Sequence, residues 1–209
     1  MSKKIAPKKS QLGQTLIETL VAIFILVTGL VSALSLAVYS FQSSDNSSKQ
    51  IAGTALARES IEGLRNMRDT NWLNGTLSSC ADLGTGQQCY STWQGNAPQR
   101  LEAGTYAVDY SIGLSNVLLT KNPSSYVLNY DPLTGSYSNG GAGVGSNYSR
   151  KVVILEDQTS PYTALNPRLV INATVWWQGR KCPTTNDPST LSASCKVDLQ
   201  AYLTNWKNY

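Results

Sequence analysis

The residue types that usually perform chemistry are few in this chain. It has no histidine, which removes the most common general base and metal ligand. Its acids are scattered and lack the spacing of a calcium-binding loop, as at Asp131, Glu156, Asp157, Asp187 and Asp198. The side chains with redox chemistry are four cysteines, Cys80, Cys89, Cys182 and Cys195. We therefore predict no enzymatic activity, no catalytic residue, no metal and no cofactor.

The four cysteines are expected to form disulfides. Their spacings are not those of a CxxC metal site, and an even number in an exported region indicates an oxidised framework. Three connectivities are possible, and the two sequence-local bridges, Cys80 to Cys89 and Cys182 to Cys195, are the simplest. Each such bridge would contribute about 3 kcal/mol by the loop-entropy estimate.

An uncharged apolar run near the N-terminus predicts a membrane helix. Residues 19–44 read TLVAIFILVTGLVSALSLAVYSFQSS and contain no charged side chain. As a helix the run would be about 40 Å long, enough to cross a hydrocarbon core of about 30 Å. Before it lies a leader with four lysines and no acid, residues 1–13. By the positive-inside rule, the N-terminus should face the cytoplasm.

The order of the leader, Gly13 and the apolar run distinguishes this segment from an ordinary secretory signal, in which the apolar core precedes the cleavage site. Here Gly13 comes first, and Glu18 is the only acid next to the run. The stretch KKSQLGQTLIETLVAIFILVTGL resembles the N-terminal signal of type IV prepilins. The resemblance covers about the first 55 residues and is specific, because a basic leader, a glycine, TLIE and an apolar helix coincide at fixed spacing.

This resemblance implies a particular processing and assembly route. A prepilin peptidase would cut between Gly13 and Gln14, and the new amine of Gln14 would usually be methylated. Subunits then assemble through their helices, with Glu18 compensating the terminal ammonium of a neighbouring subunit. The other interpretation of Glu18 is a carboxylate that reaches water at the membrane interface. An ionised carboxylate in apolar surroundings costs several kcal/mol unless it is paired, which favours the first role.

The sequence departs from the family pattern in two places, and the second departure favours a minor subunit. The first mature residue would be Gln14, where the family usually has Phe, which weakens the expectation of methylation. Many major pilins carry a proline about twenty residues into the mature helix, whereas this chain has Ser35 and its neighbours there, and Gly29 is the helix-weakening residue of the span.

The helix is expected to continue beyond the apolar run. The polar residues 42–50 are followed by a segment in which apolar and small residues recur at helical spacing: Leu56, Ser60, Gly63, Leu64 and Met67. Small residues that would let a sheet approach closely are Ala52, Ala55, Ser60 and Gly63. Pairs of opposite charge on the solvated face, Arg58 with Glu62 and Arg65 with Asp69, are spaced i, i+4. The helix should end between Asn71 and Gly75.

The remainder predicts antiparallel strands. Alternating segments lie at 104–114, at 126–130, around 150–157, around 168–179 and at 195–206, and the last two should pair. The turn DPLTG occupies 131–135, and the glycine-rich residues 135–146 predict a flexible surface loop. Most aromatic residues should pack inside the sheet domain. The other interpretation is a sugar-binding or partner-binding face formed by the five tryptophans, Trp72, Trp93, Trp176, Trp177 and Trp206.

These features predict an α+β protein: a long N-terminal helix, apolar in its first half and amphipathic in its second, packed against an antiparallel β-sheet. The expected domains are a leader at 1–13, an apolar helix at 14–44, its amphipathic continuation at 45–73 and a sheet domain at 74–209. Residues 14–209 carry 13 basic and 13 acidic residues, so a nucleic-acid surface is not expected.

The predicted function is that of a non-enzymatic subunit of a type IV pilus or pseudopilus. Its expected partners are the prepilin peptidase, other pilin subunits, the assembly machinery and, before assembly, the cytoplasmic membrane, which it spans once. After assembly it would lie in a surface filament or a secretion pseudopilus. A membrane-anchored extracellular binding domain that never polymerises is the main alternative, and a DNA-uptake pseudopilin is a third.

Overall fold

The computed structural model describes residues 12–74, 93–95, 100–110, 117–140, 143–163, 166–180 and 182–205. Within these residues one long helix is followed by an antiparallel sheet of seven strands, so the predicted α+β class is confirmed. The chain divides into two compact units between Ser47 and Ser48. We call the second unit, which contains the sheet, the head.

Helix α1 runs without interruption from Leu12 to Asn74. Its 63 residues include no proline, and the polar residues 42–50 remain helical as predicted. The end at Asn74 also agrees with the sequence. One continuous helix therefore carries both the apolar segment and the face that packs in the head.

The seven strands include all five that the sequence predicted and two more. The two additional strands, β2 and β4, have five and three residues and no alternation strong enough to mark them. In chain order the strands are β1 (Gly104–Tyr110), β2 (Val117–Lys121), β3 (Val127–Asp131), β4 (Ser136–Ser138), β5 (Val144–Asp157), β6 (Arg168–Trp177) and β7 (Lys196–Leu203).

Strand β5 organises the sheet because it pairs with three partners. Along one edge it pairs with β6 from Tyr148 to Asp157, and β6 pairs in turn with β7, as predicted for these two strands. The other edge is divided between β1, which pairs near Val152, and β3, which pairs between Val144 and Ser149. β2 lies beside β1, and β4 lies beside β3.

The prediction that residues 135–146 form a flexible loop is wrong. Strand β4 and the first residues of β5 lie within this segment, and both pair with Tyr130 of β3. Backbone ladders therefore order a sequence that is poor in apolar residues. The turn predicted at 131–135 is confirmed: the amide of Gly135 donates to the carbonyl of Asp131 at 2.8 Å, and Gly135 has a φ of +70°.

The head core lies between the second half of α1 and one face of the sheet. All five helix residues expected to be buried are buried, namely Leu56, Ser60, Gly63, Leu64 and Met67. From the sheet, the core receives alternating residues of several strands, including Val108, Val152, Ile154, Leu169, Ile171 and Leu203.

The small residues at the helix–sheet contact differ in part from the prediction. Ser60 and Gly63 face the core, but Ala55 is exposed, so its assignment was wrong. The helical phase instead places Gly53 and Ala57 inward, because they lie three to four residues before buried Leu56 and Ser60.

The predicted i, i+4 charge pairs are also wrong. Glu62 pairs with Arg65 at 2.5 Å and Asp69 pairs with Arg68 at 2.8 Å. The Glu62–Arg65 pair is largely exposed and contributes little to stability, whereas the Arg68 side chain of the second pair is only 13% exposed.

The tryptophans confirm the packing interpretation. Trp93, Trp176 and Trp177 are buried, and Trp72 packs partly buried against the core. Trp206 lies outside the described residues.

Gly53 sets the distance between α1 and strand β6. A Cβ atom added at Gly53 would lie 2.9 Å from Cζ3 of Trp177, closer than two carbon atoms normally approach. The contact therefore requires a residue without a side chain at this position.

Gly53→Val should destabilise the head by about 2 kcal/mol, because the added side chain must push the buried Trp177 ring out of place. Ala55→Val, on the exposed face of the same turn, also introduces a valine but meets no close contact, so it should cost only its helix-propensity difference of about 0.5 kcal/mol, whereas propensity alone would slightly favour Gly53→Val. Denaturant unfolding of both variants measures the difference. Equal losses would show that Gly53 makes no close contact with the sheet.

Candidate assembly and membrane-anchoring site

The first half of α1 exposes apolar side chains on every face. All side chains from residue 15 to residue 45 are exposed in the isolated chain, and they include sixteen large apolar ones. The helix is long enough and apolar enough here to cross a bilayer. A surface of this kind is stable in lipid or against other helices and unfavourable in water.

The hydroxyl groups of this segment hydrogen-bond within the helix. Thr28 donates to the carbonyl of Ile25 at 2.9 Å, Ser32 donates to that of Thr28 at 2.8 Å, and Ser35 donates to that of Val31 at 2.9 Å. Because their donors are satisfied locally, these residues can enter an apolar environment without an unpaired hydroxyl.

The residues of the predicted cleavage and assembly site lie in the first two turns of α1. The helix begins at Leu12, so the backbones of Gly13 and Gln14 are already helical. Glu18 follows Gln14 by four residues, which places the two on the same side of the helix, about 6 Å apart along its axis. The Glu18 side chain is exposed. After a cut at Gly13, its carboxylate would lie one turn from a new positive N-terminus.

The described part of the head contains one of the two predicted disulfides. Cys182 and Cys195 are bonded, with a Cα to Cα distance of 5.5 Å, which confirms that pair. Cys80 and Cys89 lie outside the described residues, so their predicted bridge stays a prediction.

The bonded loop between β6 and β7 covers a second small core. Cys182, Leu191 and Cys195 bury Trp176, whose indole N–H donates to the carbonyl of Thr185 at 2.9 Å. A short 3₁₀ helix, Pro188–Thr190, begins where the carboxylate of Asp187 accepts the amide of Ser189 at 3.0 Å. The loop is therefore packed onto the outer face of the sheet.

A buried arginine joins α1 to the sheet. The guanidinium of Arg150 on β5 donates to the carbonyl of Val108 at 2.6 Å and to that of Leu56 at 3.3 Å. It also pairs with the carboxylate of Glu59 at 3.2 Å, and its own side chain has no exposed surface. One cation thus connects the helix with strands β1 and β5.

Glu59 is the partly exposed member of this pair. Desolvation raises the pKa of its carboxyl above the usual value, and the attraction and hydrogen bond of Arg150 oppose this shift without cancelling it. The ionised carboxylate therefore loses more by leaving water than it gains from the arginine. Folded-state stability from this group is greatest below pH 4.5 and decreases as pH rises through the folded pKa.

Sequence reasoning did not single out Arg150 or Glu59. The signal was the strand alternation: Arg150 has the same parity as the buried Val152 and Ile154, so it had to face the core. A cation at an inward position indicates a buried partner, but its identity depends on a residue 91 positions earlier.

Comparison of the chain with protein-family models, with curated proteins and with solved structures gives no match. The N-terminal residues and the apolar half of α1 are consequently the features that bear on function.

Glu59→Gln should cost under about 1 kcal/mol, because the amide oxygen can still accept from Arg150 and the desolvation of a carboxylate is removed. Arg150→Met should cost more, about 2 to 4 kcal/mol, since two buried carbonyl groups lose their donor.

Denaturant unfolding at several pH values measures both effects. The stability of the wild type relative to Glu59→Gln should fall as pH rises above 4.5, in the direction given by the raised pKa. If Glu59→Gln lowered the free energy of unfolding more than Arg150→Met at every pH, the Glu59 carboxylate would gain more from Arg150 than it loses by desolvation, which would contradict this interpretation.

Proposed function

We propose that this chain is a structural subunit of a type IV pilus-like filament, either a minor pilin or a pseudopilin, which assembles through the first half of α1. Its function is mechanical and does not involve catalysis. Before assembly, the subunit spans the cytoplasmic membrane with its N-terminus on the cytoplasmic side. Assembly then transfers its helix from lipid to a site among the helices of other subunits.

The observation that carries this proposal is the exposure of an apolar surface around the whole first half of α1. An apolar stripe would be enough for packing against one partner, whereas this segment is apolar all round from residue 19 to residue 41. A helix of this type must be enclosed on all sides, either by lipid or by several helices. The filament subunit uses both environments in succession.

The proposed processing follows from the N-terminal residues. A prepilin peptidase would remove residues 1–13 by cutting between Gly13 and Gln14, and the amine of Gln14 would then be the methylation site. The helical backbone at this point would have to open by about one turn to enter a protease site, and Gly13 lowers the cost of that opening because glycine is a poor helix former.

Glu18 separates the filament from an anchored domain that never polymerises. In the filament, its carboxylate would compensate the terminal ammonium of a neighbouring subunit in apolar surroundings. In the anchored domain it would face water or headgroups at the interface. Both functions require the membrane helix, so the helix alone does not distinguish them.

Glu18→Gln should leave membrane insertion and the head intact but reduce incorporation into filaments. The loss comprises the pairing free energy and the cost of an uncompensated buried ammonium, about 3 kcal/mol or more. This corresponds to over roughly a hundredfold in an assembly equilibrium. The measurement is the amount of variant in sheared surface filaments or a pseudopilin complex, divided by the amount in the membrane.

Glu62→Gln is the matched control, since Glu62 is an exposed acid on the same helix, paired with Arg65 in the head. Its filament-to-membrane ratio should equal that of the wild type. An unchanged ratio for Glu18→Gln as well would favour the anchored domain over the filament subunit.

A further inference from the structure

Apolar side chains are exposed at the turn between β3 and β4 and at the start of β5, and Tyr137 of β4 lies behind them, partly buried against the head core. Leu133 at the tip is 95% exposed and Val144 is 70% exposed. Tyr130 pairs across the strands with both Val144 and Tyr137, and the rings of Tyr130 and Tyr137 are 5.0 Å apart. We call these four residues, Tyr130, Leu133, Tyr137 and Val144, the hairpin patch. Grouped exposure of this kind marks a contact surface.

The chain segment that carries the hairpin patch is almost uncharged, and the carboxylate of Asp109, which reaches it from β1, accepts the amide of Asn139. Asp131 is the single charged residue between positions 126 and 149. Its carboxylate accepts the amide of Leu133 and the hydroxyl of Thr134, each at 2.9 Å, and these bonds hold the pKa of Asp131 below its usual value. The acid is therefore used to close the turn. A partner that is recognised by charge would find little to bind here.

Two contacts fix the end of the head at which the hairpin patch lies. At Arg150, strand β5 contacts α1 at Leu56. Two residues earlier on β5, Tyr148 pairs with Trp177, and Trp177 contacts α1 at Gly53. Lower numbers on β5 therefore correspond to lower numbers on α1. Strand β6 ends at Trp177, and Val144 lies beyond that end. The patch is thus at the end of the head where α1 enters at Ser48.

The covalent chain keeps this end of the head near the apolar segment. Ser48 comes four positions after Ser44, the last residue of the uncharged run. Even a fully extended chain of that length spans at most about 15 Å. The entry end of the head consequently remains close to the membrane surface for as long as the apolar segment is embedded.

We infer that the hairpin patch is a second membrane contact, which binds the boundary between headgroups and acyl chains of the bilayer that holds α1. Its chemistry fits that boundary: an exposed leucine at the tip can enter the acyl region, and tyrosines behind it favour the headgroup level. The almost uncharged chain segment indicates no requirement for anionic lipid. The inference depends on the membrane-resident stage of the proposed function, and transfer to a filament would have to break this contact.

The test places a fluorophore at the tip and measures its exposure to lipid. Leu133→Cys is labelled with an environment-sensitive dye, and the full chain is reconstituted at one copy per phosphatidylcholine nanodisc with brominated acyl chains. Leu155→Cys is the matched control, since Leu155 is an exposed leucine near the opposite end of β5. The parent chain taken through the same labelling gives the background from native cysteines.

The expected result is at least about twofold more bromine quenching at position 133 than at position 155, which corresponds to shallow burial in the interface. Val144→Cys, labelled in the same way, should also be quenched more than the control. Equal quenching at all three positions would overturn the inference. So would a dye at position 133 that is protected only when several copies share a nanodisc, because the occupant would then be a second copy of the chain.

This outcome is separable from the failure of filament assembly. Quenching at position 133 in a protein that is never incorporated into filaments would reject the filament subunit and retain the membrane contact. Normal incorporation into filaments without quenching at position 133 would reject the membrane contact and retain the filament subunit.

Discussion

A single helix cannot cover its own apolar surface, and this constraint determines how the chain can exist. From residue 19 to residue 41, α1 exposes large apolar side chains in every direction, while the hydroxyl groups of Thr28, Ser32 and Ser35 are satisfied within the helix. Lipid or other helices must supply the missing contacts. In the proposed function that cover is lipid first and the helices of other subunits afterwards.

The head solves a different problem, because it must pack the second half of the same helix against a sheet. Gly53 allows Trp177 to pack against the helix backbone, and Arg150 connects Leu56, Glu59 and Val108 through one buried cation. These contacts lie near the point at which the helix enters the head.

Much of this architecture could be predicted from local patterns. Strands β6 and β7 alternate because one face is buried, and the helix shows its buried face through residues such as Leu56, Leu64 and Met67. β2 and β4 could not be predicted, since their few residues become strands through pairing with β1 and β3. The same holds for Arg150 and Glu59, whose pairing requires the folded chain. The roles of Gly13 and Glu18, in contrast, are implied by the resemblance to type IV prepilins and stay predictions.

The most direct test of the account is the intact mass of the protein extracted from the membrane of its native host, compared with its mass in sheared surface material. The account predicts a chain that lacks residues 1–13 and begins at Gln14 in both fractions, with the apolar segment retained. An intact Met1, or a cut within or after the apolar segment that removes it, would contradict assembly through this helix.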